Sequence, residues 1–236
     1  MKKRDKIKGI IFDFDDVLAN SRPGKEEAMN FVAEKISNFF KKQKIEIEPK
    51  QILETIKKLE KRMVAQGICD RNVWWSLIFD KFLVKKPPKS FLNYLTKKYW
   101  QIVTKKNTLY KEALPILRYL KKKNYLLGLL SDTDGLKGTK IKRIKILNLE
   151  KWFNAIVVAG EDTKKTKPHS EPFYLICKKL NLKPNQCAYI GDHPLTEISK
   201  PKKIGMMAIW LNRQNNKSKI KPHLTIKSLR ELKEIF

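Results

Sequence analysis

Ile10-Ile11-Phe12-Asp13-Phe14-Asp15-Asp16-Val17-Leu18 sets an apolar run against three carboxylates that follow within four residues. Consecutive apolar residues read as a strand buried on both faces, and Asp13 then stands at its carboxyl end, where open α/β sheets bind their ligands. Carboxylates crowded at such a place repel one another and lose solvation, so their pKa values rise above the ~3.9 of a model aspartate. A bound divalent cation is the simplest way to keep them ionised. The segment reads either as a metal site or as a strand ending in a solvated acidic turn.

Working outward, residues 26–107 show only helical periodicity. Met29, Phe31, Val32, Ile36, Phe39 and Phe40 recur at helical spacing, as do Ile52, Leu53, Ile56, Leu59 and Met63, and two further patterns cover 74–84 and 91–103 around Pro87-Pro88. Trp74, Trp75 and Trp100 lie in this block, where they either fill a small core or stack on a substrate. Beyond Ala113 the pattern alternates: helix 114–122, strand 125–130, helix 140–147, strand 155–159, helix 172–180, strand 187–190, helix 195–204 and strand 206–211. A polar, basic loop over 212–221 precedes a last helix over 229–236. Alternation of this kind specifies a doubly wound parallel sheet with right-handed crossovers, to which the first strand also belongs. The expected organisation is a Rossmann-like α/β core over 1–19 and 108–236, with an all-helical domain inserted over 20–107 on the loop that leaves the carboxylates.

Composition limits the function classes. With 236 residues, 42% hydrophobic and 32% charged, the chain can bury a real core. The basic stretch 1–8 is followed by an apolar run that stops at Asp13, which is too short for a secretion signal, and no stretch reaches the ~18 apolar residues of a membrane span. A cytoplasmic location is expected. Cys69, Cys177 and Cys187 have no CxxC spacing and read as buried free thiols, and His169, His193 and His223 show no ligand spacing. The net charge of +28 attracts polyanions and phosphorylated metabolites alike. It is diffuse and carried by lysine, whereas specific readers of nucleic acid favour arginine, so nucleic acid is not expected as the main partner.

Three more signatures fall where strands of this sheet end. Leu129-Leu130-Ser131-Asp132 offers a hydroxyl that can donate to a phosphate oxygen, or else an ordinary turn or helix cap. Lys167-Pro168 can bring a positive charge to an acidic centre; Lys164 and Lys165 compete for that role, and the proline after Lys167 singles it out by biasing its backbone away from helix. Tyr189-Ile190-Gly191-Asp192 ends another apolar strand in a carboxylate, which can complete an oxygen-rich Mg²⁺ site or cap the next helix.

With all four segments in order and each at a strand terminus, the chain resembles the haloacid dehalogenase superfamily of aspartate-nucleophile hydrolases. The resemblance rests on Asp13, Asp15 and Val17 for the DxDxV motif, Ser131 for the apolar-Ser motif, Lys167 and Pro168 for the Lys-Pro motif, and Gly191, Asp192 and Glu197 for the GDxxxx-acid motif. It covers about 8–18 and 109–211, and the helical block stands where that family carries a cap. It implies that Asp13 attacks phosphorus to form an aspartyl-phosphate, that Asp15 protonates the leaving group and then activates water, and that Ser131 and Lys167 hold the phosphoryl oxygens. It also implies Mg²⁺ bound by the Asp13 and Asp192 carboxylates and the Asp15 carbonyl. Dehalogenases need no proton for halide departure and usually lack an acid at the position of Asp15, so its presence favours a phosphatase of small phosphate esters. A phosphosugar mutase shares the motifs, and a polyanion-binding protein on a retained hydrolase fold would use the basic stretch 137–145. Glu197 stands where many relatives carry Asp; its extra methylene leaves Lys167 or metal-bound water within reach, and its role stays open.

Overall fold

The computed structural model describes residues 6–236, so the start of the basic amino-terminal stretch lies outside the described residues. Strand β1 (Gly9–Phe12) is wholly buried and is followed by the short β2 (Ala19–Asn20). Four helices come next: α1 (Arg22–Lys41), α2 (Pro49–Ala65), α3 (Arg71–Lys81) and α4 (Lys89–Lys106). Then come β3 (Thr108–Leu109), α5 (Ala113–Lys122), β4 (Leu126–Asp132), α6 (Thr139–Ile146), β5 (Ala155–Ala159) and α7 (Glu171–Lys179). The chain finishes with β6 (Cys187–Gly191), α8 (Ser199–Lys203), β7 (Met207–Leu211), β8 (Leu224–Ile226) and α9 (Leu232–Ile235).

A parallel six-stranded sheet runs in the order β5-β4-β1-β6-β7-β8. Side chains alternate across it, as the period of an extended chain requires. Ile10 and Phe12 join Leu129, Ile190 and the α5 residues Leu117 and Leu120 in one core. Ile11, Leu130, Val157 and Tyr189 pack on the other face with Phe173 and Ile176 of α7. Helices therefore cover both faces, the doubly wound arrangement expected from the alternation. Register sets the site: Phe12 lies opposite both Leu129 and Ile190, so Asp13, Ser131 and Asp192 emerge at the same end of three adjacent strands.

The chain divides into two compact units, one built from residues up to 20, 108–133 and 137–236, the other from 21–107 with 134–136. In the second unit α1 buries Ala28, Met29, Val32, Ala33, Ile36 and Phe40 along one stripe. Gly24 lets α1 and α4 approach closely, since a Cβ there would lie 2.9 Å from Val103 Cα. Trp74, Trp75 and Trp100 belong to this unit's own core. No helix among the described residues is long and apolar enough to cross a membrane.

Several elements depart from the pattern reading. β4 continues through Ser131 and Asp132, so both are strand residues and not the turn after it. The helix expected over 195–204 is a π-helical turn, Pro194–Ile198, followed by the short α8. Pro201 has no N–H to bond the carbonyl four residues back, at Glu197, which explains why one regular helix does not run through. β8 adds a sixth strand where a loop gave way to helix in the sequence reading. The last helix starts as a 3₁₀ turn over Leu229–Glu231. Cys177 and Cys187 are buried free thiols, but Cys69 is half-exposed.

Candidate active site

Asp13 follows the last residue of β1, and its N–H donates to the Ile190 carbonyl at 3.0 Å, which fixes it against the end of β6. The residue is 4% exposed. Lys167, itself 2% exposed, donates to Asp13 Oδ1 at 2.7 Å and to Glu197 Oε1 at 2.5 Å. Lys164 and Lys165 are exposed, so the lysine beside the proline is the one that enters the site. A buried lysine is costly unless paired, and two carboxylates do the pairing here.

Glu197 spans the site. Its Oε2 accepts from the backbone N–H groups of Asp192 at 2.9 Å and His193 at 3.2 Å. Gly191 makes this possible, because a Cβ there would stand 2.5 Å from Glu197 Oε2. Of the two partners open to Glu197 in the sequence, Lys167 is one that it meets.

The charges settle one another. Burial pushes Asp13 up to about 7, with the charge of Glu197 adding to it and Lys167 opposing. Burial also disfavours the Lys167 ammonium, but Asp13 and Glu197 outweigh it and hold its pKa well above the ordinary value. Burial would raise Glu197 too, yet Lys167 and the backbone donors bring it below the usual carboxylate range.

Among the described residues, Asp13, Asp192 and Glu197 bring carboxylate oxygens within 4.8 Å of one another. An all-oxygen set at a strand end fits a hard divalent cation such as Mg²⁺. Both Glu197 oxygens are engaged, one by Lys167 and the other by the backbone N–H groups of Asp192 and His193. A carboxyl held at about 7 is only partly ionised near neutral pH, and a cation beside it would restore the anion.

The other expected residues are placed less uniformly. Ser131 is buried at the end of β4, and its hydroxyl makes no hydrogen bond with a described residue, so it remains available as a donor. The Asp15 carboxylate pairs with Lys140 and with the Arg143 guanidinium, both on α6. Asp16 takes a left-handed backbone conformation, φ 63°, which an aspartate tolerates in a turn.

Four contributors escaped the sequence reading. Asp132 Oδ1 accepts from the Lys167 backbone N–H at 2.9 Å and so holds the lysine's loop to β4. The Tyr189 hydroxyl accepts from Lys167 Nζ at 3.3 Å and donates to the Leu130 carbonyl at 3.4 Å. Lys140 and Arg143 were counted only as part of the basic stretch; they are 3% and 1% exposed, while Lys137, Lys142 and Lys145 face solvent.

The carboxyl ends of β1 and β6 and the loop between β5 and α7 thus bring aspartates and a lysine to one point of a doubly wound sheet. The family model of haloacid dehalogenase-like hydrolases matches residues 7–199, and the chain belongs to that family. It is 32% identical over 129 residues to the N-acylneuraminate-9-phosphatase of Homo sapiens, a match covering 53% of this chain and 50% of that protein. The chain thus spans about half the length of the first curated relatives it matches. It is 24% identical over 231 residues to the phosphoglycolate phosphatase of Escherichia coli O157:H7, covering 89% of this chain and 83% of that one. Among solved structures, a haloacid dehalogenase-family phosphatase from Thermococcus onnurineus superposes with TM-score 0.71 at 22% identity, covering 97% of each chain.

Proposed function

We propose that the protein is a Mg²⁺-dependent phosphatase that hydrolyses a small phosphorylated metabolite through an aspartyl-phosphate on Asp13. The observation that carries this reading is a buried carboxylate at a strand end, fixed through Oδ1 by a buried lysine, with Oδ2 making no hydrogen bond to a described residue. Relatives that bear phosphatase names support it.

In this reading Asp13 Oδ2 attacks phosphorus in line, splitting one hard displacement into two easier ones. The Lys167 ammonium and the Ser131 hydroxyl donate to the phosphoryl oxygens, where charge is spread in the transition state. Asp15 gives a proton to the departing oxygen and later takes one from water. Mg²⁺, held by the Asp13 and Asp192 carboxylates and the Asp15 carbonyl, would neutralise charge on the phosphate and the nucleophile. Since the Asp15 carboxylate is engaged with α6, the backbone carbonyl is the share of that residue left to the metal. The helical unit, inserted in the chain just after the β1 loop, is assigned the cap's task of choosing the leaving group. Sugar phosphates, triose phosphates and phosphoglycolate head the substrate panel.

Phosphate release from such a panel should need Mg²⁺ and fall at least about 100-fold in chelator. Mg²⁺ should also raise the melting temperature of the native protein and leave that of Asp192→Asn unchanged, a readout independent of turnover. Full activity in chelator, with no melting response to Mg²⁺, would remove the metal from the account.

A further inference from the structure

Helix α6 carries Lys140 and Arg143 three residues apart, on the face that also buries Ile144. In a chain with 52 lysines and arginines, most of these side chains keep their charge in water, and turning two inward needs a partner. That partner is the carboxylate of Asp15. Arg143 addresses both of its oxygens, Oδ1 through Nη2 and Oδ2 through Nη1 at 3.2 Å, and Lys140 adds a bond to Oδ2. The Phe14 ring lies against both cations, 5.6 Å from Lys140 Nζ and 5.3 Å from Arg143 Cζ. A guanidinium fork fixes the plane of a carboxylate as a single ammonium cannot.

We propose that Lys140 and Arg143 are positioning residues that orient the Asp15 carboxylate for the hydrolysis of the phosphoenzyme. The inference rests on the phosphatase reading above. A carboxylate gripped through both oxygens is held in one plane, which suits it to meet the attacking water in the second half of the reaction. There the water oxygen bonds to phosphorus, and the bond from phosphorus to the Asp13 oxygen breaks with its electron pair returning to Asp13. The proton lost by water passes to Asp15. Departure of an acidic phenol in the first half needs no proton, so the two halves respond differently to loss of the fork.

The test is steady-state and rapid-mixing kinetics with p-nitrophenyl phosphate and Mg²⁺ on the native protein, Arg143→Met, Arg143→Lys and Lys140→Met, with each fold checked by circular dichroism. For Arg143→Met, kcat and KM should fall together by about 10- to 100-fold, leaving kcat/KM near the native value, with a burst of nitrophenolate in the first turnover. Arg143→Lys and Lys140→Met should show the same paired fall at smaller size. If Arg143→Met does not fold, these two carry the test. Unchanged kcat in them, or a fall in kcat/KM at constant KM, overturns the inference while the phosphatase reading stands. A native protein that releases no nitrophenolate overturns both.

Discussion

Asp13→Asn protein should fold as the native chain does and release phosphate about 10³-fold more slowly or not at all. The amide keeps the shape of the carboxyl and an oxygen that can accept from Lys167, but it cannot attack phosphorus. Because Lys167 still has Glu197 at 2.5 Å, the substitution leaves a neutral buried pair and no orphaned charge. Thermal stability should therefore stay within about 1 kcal/mol of native. Phosphate release within tenfold of native, on a panel that the native protein turns over, would take the nucleophile's role away from Asp13.

Lys167→Met should do the opposite to stability. Removing the ammonium leaves Asp13 and Glu197, 4% and 5% exposed, as two buried carboxylates without the cation that joins them. Breaking a buried pair in this way costs about 3–5 kcal/mol, and the donor that would meet the transferring phosphoryl group is lost as well. A second substitution identifies the cause: Glu197→Gln in the Lys167→Met background removes one of the two stranded charges and should restore part of the lost melting temperature. Glu197→Gln alone should cost less than Lys167→Met, since Asp13 still pairs the lysine. A double variant no more stable than Lys167→Met would mean that packing, and not charge, accounts for the loss.

What could be read from the chain follows from how local each signal is. β1, β4 and β6 carry short, buried apolar runs, and a buried strand needs nothing more to declare itself. Three of the four candidate segments end such runs, which is why Asp13, Ser131 and Asp192 stood out before their register was known. Lys167 was separable from Lys164 and Lys165 only through its proline, and the structure brings it to Asp13. The break before α8 goes with Pro201 and with Glu197 folding back onto the backbone amides four and five residues before it, local contacts that apolar periodicity does not carry. β8 is three residues long with one buried side chain, too little for a period to show. The pairing of Asp15 with Lys140 joins residues 125 apart, and in so lysine-rich a chain nothing local distinguishes a lysine bound for the interior from those bound for water.

The most direct measurement is mass spectrometry of the protein quenched in acid during turnover of a phosphate ester with Mg²⁺. The account predicts one added phosphoryl group on the peptide that contains Asp13, absent from Asp13→Asn protein and lost when the substrate runs out. Turnover with no phosphoryl group on that peptide, under conditions where Arg143→Met shows a burst, would contradict it.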